Sequence, residues 1–116
     1  MHTVFPNIGS VLSFLLGLMA IFRPSKVANF VSIRSMGKEG VAEIRATYGG
    51  FFAGLSLYAI LVQIPEVFIA LGFGWLGAAM IRFVTLLWEV TTWKNLAGVV
   101  FESVIGILCI SVLFKF

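Results

Sequence analysis

Four stretches of the chain are predominantly apolar: 4–22, 44–63, 67–88 and 95–114. Each is close to the ~20 residues that a helix needs to cross a hydrocarbon layer. A backbone in hydrocarbon must satisfy its own hydrogen bonds, so the pattern predicts four helices. The connections near residues 63–66 and 89–94 are short, which predicts that the second, third and fourth spans are antiparallel neighbours. Residues 23–43 are too many for a structureless connection. Within them Val27, Phe30 and Val31 share helical spacing between Lys26 and Arg34, which predicts a short amphipathic helix on the membrane surface; an ordinary polar loop is the alternative. "SMGKEG" (residues 35–40) then reads as a flexible break. The expected fold is all-α: one domain over residues 1–116, a polytopic membrane protein with four transmembrane helices in an antiparallel bundle and a surface helix between the first two.

Composition points the same way. The chain is 60% hydrophobic and 11% charged, against ~25% charged in an ordinary soluble domain. A chain of this size has too little interior to hide so much apolar surface from water. The net charge of +3 is unevenly spread. Arg23, Lys26, Arg34, Lys38, Arg45 and Lys94 flank one side of the spans and Lys115 the other. By the positive-inside rule the 23–43 connection is cytoplasmic and both termini are outside, in a bacterial inner membrane or its organellar equivalent. Clustered charge of this kind orients a membrane protein and argues against nucleic-acid binding. The first apolar run follows no basic residue and precedes no small-residue cleavage site, so it reads as a retained helix.

Small residues recur four apart in every span. The first has Gly9, Ser13 and Gly17; the second Ala42, Ala46, Gly50 and Gly54; the third Ala70, Gly74 and Ala78; the fourth Gly98 and Gly106. Such rows let helices approach closely in lipid, and they predict the packing faces. Arg82 extends the third row and Glu102 lies within the fourth. A carboxylate at the centre of a span costs roughly 2.5–3.5 kcal/mol on insertion scales, and buried membrane charges are usually paired. Counted from the connection between their spans, the two residues lie at similar depth, roughly 10–12 Å at 1.5 Å per residue. An Arg82–Glu102 pair follows, either as an interhelical clamp, as the lining of a polar cavity, or as a contact to another subunit. Glu43, Arg45, Thr47 and Tyr48 could extend that cluster, or could be a solvated helix start.

Other chemistry is scarce. There is no Asp, one Cys (Cys109) and one His (His2). These cannot form a nucleophilic triad or a metal site, so no catalytic residues, metal or obligate cofactor are expected. "GFGWLG" sits inside an apolar span and is no nucleotide fingerprint. Twelve Phe offer apolar surface to a bound lipid, quinone or pigment, or simply to acyl chains.

The stretch "EIRATYGGFFAGLSL", with Pro24 after the first span, Arg82 in the third and Glu102 in the fourth, resembles a family of small bacterial four-helix membrane proteins of unknown function, similar in architecture to the DoxX-like proteins. The resemblance implies a four-helix bundle and no particular activity. Three readings of function stand: a non-enzymatic accessory or structural subunit packing against a larger membrane complex, such as an energy-transducing one, or against copies of itself; a carrier or binding protein for a small or lipophilic solute using Arg82 and Glu102; and a membrane assembly or biosynthetic helper. The expected partners are membrane lipids and other transmembrane subunits.

Overall fold

The computed structural model describes residues 3–30, 37–89 and 91–114. Among them every regular element is helical. Four helices are long and apolar enough to cross a membrane: Val4–Phe22, Gly37–Val62, Pro65–Trp88 and Trp93–Phe114. Only 28–33% of each span is buried within the chain. The rest exposes large apolar side chains such as Leu61, Phe73, Met80 and Ile107, a surface suited to acyl chains and not to water. Trp88 and Trp93 stand exposed at facing ends of the third and fourth spans, where amphipathic rings suit a headgroup layer.

The second span differs most from expectation. It begins at Gly37, well before residue 44, so Gly37 to Gly40 are helical instead of a break. Its middle, Arg45–Phe51, is a π-helix between two α-helical segments. The short helix before it, Pro24–Phe30, buries Val27 and Ala28 and exposes Lys26 and Asn29. Pro24 opens that helix, where a missing N–H costs nothing. Val31, Arg34, Ser35 and Met36 lie outside the described residues, as do His2 and Lys115.

The first span packs against the second and the fourth, and the third packs mainly against the fourth. At these crossings glycine is required by contact. A Cβ on Gly17 would stand 2.6 Å from the Ala53 backbone nitrogen, and one on Gly49 2.5 Å from Ile21. Gly9 backs onto Cys109, and Gly106 onto Leu76. Gly72 meets Ile110 and the Gly106 carbonyl. Buried polar bonds add to this packing. Ser56 donates to the Ser13 hydroxyl oxygen at 2.7 Å and the Trp75 indole donates to the same oxygen at 3.0 Å, tying three spans together. At one end Asn7 and Gln63 exchange side-chain hydrogen bonds of 2.9 and 2.7 Å. Gln63 itself takes the left-handed conformation (φ 54°) that ends the second span.

Two of the four small-residue rows do not pack as expected. Ala42, Ala46, Gly50 and Gly54 are all exposed. Gly54 would meet nothing within 4 Å if given a Cβ, and Gly50 only its own helix at 3.9 Å. The buried row is instead Ile44, Gly49, Ala53, Ser56 and Ala59. Its first step is five residues, the repeat of a π-turn, and a strict four-residue count misses it. In the third span Ala70, Gly74 and Ala78 are exposed as well, while Leu71, Gly72, Trp75 and Ala79 are buried. The rows of the first and fourth spans (Gly9, Ser13 and Gly17; Gly98 and Gly106) do lie at crossings.

The second and third spans, joined by the shortest connection, make little contact along their length. Each turns its close-packing residues elsewhere: Gly49 and Ala53 toward the first span, Gly72 and Leu76 toward the fourth. Phe52 and Trp75 bridge the gap, with ring centroids 5.1 Å apart.

Candidate functional site

The gap between the second and third spans is a cavity of about 440 Å³. Ala70, Gly74 and Ala78 line one side of it, and Tyr48, Phe51 and Phe52 belong to the other. Trp75 and Phe101, in edge-to-face contact at 6.3 Å, add further aromatic wall. The small-residue row of the third span therefore borders open space instead of a neighbouring helix among the described residues. The volume falls in the ~300–1,000 Å³ range of small-molecule sites, which are mostly apolar with few polar groups.

Those polar groups are Arg82, Glu102 and Tyr48. Arg82 Nε donates to Glu102 Oε1 at 2.9 Å, and Nη2 donates to Oε2 at 3.2 Å. The fork is two-pronged, the geometry in which a guanidinium binds a carboxylate most strongly. Arg82 reaches Glu102 across Gly98: a Cβ there would lie 2.7 Å from Arg82 Cδ. Gly98 thus makes room at the third–fourth crossing for the arginine side chain. The pair is unevenly covered, with 28% of the Arg82 side chain open and 12% of Glu102.

Asn95 and Thr85 complete the cluster, and sequence reasoning did not single them out. Arg82 Nη1 donates to Asn95 Oδ1 at 3.3 Å, and Asn95 Nδ2 donates to Thr85 Oγ1 at 3.3 Å. Thr85 in turn donates to the Arg82 carbonyl oxygen at 2.8 Å. A signal for Asn95 was present, because it stands seven residues before Glu102 and so shares its helix face. The Asn95 backbone N–H is also capped by Thr92, which suggests a mere helix start.

The possible extension of the cluster divides. Only Tyr48 reaches the cavity. Glu43 instead accepts a 2.8 Å hydrogen bond from Thr47 on an exposed face. Arg45 lies with Lys38, Ala46 and Gly50 along a separate shallow groove. Among the described residues no group of three or more His, Cys, Asp or Glu could hold a metal ion. Cys109 is fully buried against Gly9.

No protein-family model, curated protein or solved structure matches this chain.

Proposed function

We propose that the chain is a non-enzymatic integral membrane protein, an antiparallel four-helix bundle that binds a lipophilic solute between its second and third spans. The observation that carries this reading is the cavity of about 440 Å³ with the Arg82–Glu102 pair in its wall. Three features support it. A clamp alone would need no adjoining space. The row that would ordinarily close two helices together, Ala70, Gly74 and Ala78, borders that space. The cavity wall is aromatic, which offers large contact area to a flat or branched apolar body. The likeness to small DoxX-like bacterial membrane proteins, the inner-membrane location and the cytoplasmic placement of the 23–43 connection belong to the same proposal.

The test is native mass spectrometry of protein released from mild detergent. Wild type should carry a co-purifying lipophile at up to one copy per chain, and Gly74→Phe should not. A Cβ at Gly74 meets nothing within 4 Å, so the new ring fills space instead of displacing structure. Equal adducts on both proteins, or none on either, would defeat the reading.

A second reading, the accessory subunit, is favoured by one separate observation. Ala42, Ala46, Gly50 and Gly54 form an exposed row that no helix among the described residues covers, and such rows admit a partner helix at close range. A stoichiometric transmembrane partner that co-purifies with wild type and is lost from Gly50→Leu would support it.

A further inference from the structure

The polar groups in the cavity wall constrain what the cavity can hold. We infer that its ligand is a neutral lipophile with a hydrogen-bond-accepting head, the chemistry of a carbonyl-bearing ring such as a quinone, and not an anionic lipid; this rests on the reading of the cavity as a ligand site.

The first argument is charge. Among the described residues, Arg82 and Glu102 are the only charged ones lining the cavity, and they neutralise each other through two hydrogen bonds. An anionic head brought to Arg82 would meet a cation already spent on a carboxylate a hydrogen bond away. It would then be repelled by Glu102 in a medium that screens poorly. A cationic head would meet the better-covered partner, since Glu102 is only 12% open. A neutral head meets neither penalty.

The second argument is hydrogen-bond capacity. A guanidinium has five N–H donors. Glu102 takes two and Asn95 one. Two remain that no described residue accepts, on the side chain that is 28% open. Tyr48 also lines the cavity, and its hydroxyl makes no hydrogen bond to a described residue. The wall therefore offers donors in excess of acceptors. A pure hydrocarbon would leave these donors unpaired in a dry site, which is costly. Carbonyl oxygens satisfy them without adding charge. The aromatic wall of Phe52, Trp75 and Phe101 suits a flat ring, and the lateral gap between spans suits an apolar tail.

The experiment compares three probes with tails of nearly equal length: a decyl-substituted benzoquinone, decylbenzene and decanoate. The protein is placed in nanodiscs of neutral lipid. Trp88→Phe and Trp93→Phe leave Trp75 as the only tryptophan, so its emission reports binding next to the cavity. The quinone should bind saturably and about tenfold or more tighter than either other probe, as expected for one or two hydrogen bonds from a charged donor. The paired change Arg82→Met with Glu102→Leu should remove most of the quinone's advantage, weakening the quinone while decylbenzene binds at least as well as to wild type. Decanoate or decylbenzene binding as tightly as the quinone, with Gly74→Phe blocking all three, would overturn the inference while leaving the cavity reading intact. Binding that Gly74→Phe does not affect, or no saturable binding of any probe, would overturn both.

Discussion

At the scale of single residues, the arrangement turns on a carboxylate that lipid would reject and a guanidinium that accepts it. Their pairing is legible in the sequence because both lie at similar depth on consecutive spans and each belongs to a row of small residues. Asn95 and Thr85 are not legible in the same way, since polar residues near a helix end have an ordinary capping use. The consequence for stability is asymmetric. Glu102→Ala strands Arg82 with Asn95 as its only side-chain partner among those described, whereas Arg82→Met with Glu102→Leu removes both charges and fills the same space. Breaking one half of a buried pair costs roughly 3–5 kcal/mol, while an apolar replacement of both is often neutral. Thermal unfolding in a fixed detergent should therefore rank wild type and the double variant close together and Glu102→Ala well below. If the double variant unfolds first, the pair is holding the spans in place as well as satisfying itself. Gly98→Ala offers a finer check. The added methyl would stand within 3 Å of the Arg82 side chain, so it should lower the midpoint and, by shifting the guanidinium, weaken quinone binding too.

At the scale of elements, the location of the spans is written in their hydropathy, but the faces they turn to one another are not. Periodicity counted in fours picks Gly50 and Gly54 for the second span, because it assumes an unbroken α-helix. The π-helical stretch Arg45–Phe51 adds a five-residue step, and Gly49 takes the crossing instead. In the third span the four-residue row is real but serves a cavity, which sequence alone cannot tell from a packed interface. The difference is measurable by substitution. Gly17→Leu and Gly49→Leu each drive a side chain into the first–second crossing, where overpacking costs about 1–3 kcal/mol or more. Gly50→Leu and Gly54→Leu add a side chain on the exposed face, and there leucine also gains helix propensity. A folding reporter or detergent melting series should separate the two pairs, with only the first losing stability. Loss at Gly50 or Gly54 of similar size would mean that the exposed row is covered in the assembled protein, which is the outcome the accessory-subunit reading requires.

At the scale of the whole molecule, the remaining question is which way the four spans face. Charge decides this more than shape does. Arg23, Lys26, Lys38 and Lys94 lie near one set of helix ends, and Glu66 near the other. Lysine and arginine are retained on the cytoplasmic side, whereas acidic residues have little influence. The start of the second span should accordingly be inside and the second–third connection outside. Wild type provides its own baseline for a thiol test, since its lone cysteine is fully buried. Lys38→Cys and Glu66→Cys each replace an exposed residue. In intact cells a membrane-impermeant maleimide should label Glu66→Cys and spare Lys38→Cys, and permeabilisation should make both reactive. The reverse pattern would invert the topology. Partial labelling of both in intact cells would mean that the chain inserts in two orientations. On the proposal that the cavity holds a lipophile, the Arg82–Glu102 pair also sets the leaflet for its head. It lies in the half of the spans nearer the third–fourth connection, as Trp88 and Trp93 do. With Lys38 inside, the head of a bound lipophile would sit in the cytoplasmic half of the membrane, and its tail would run toward the midplane between the second and third spans.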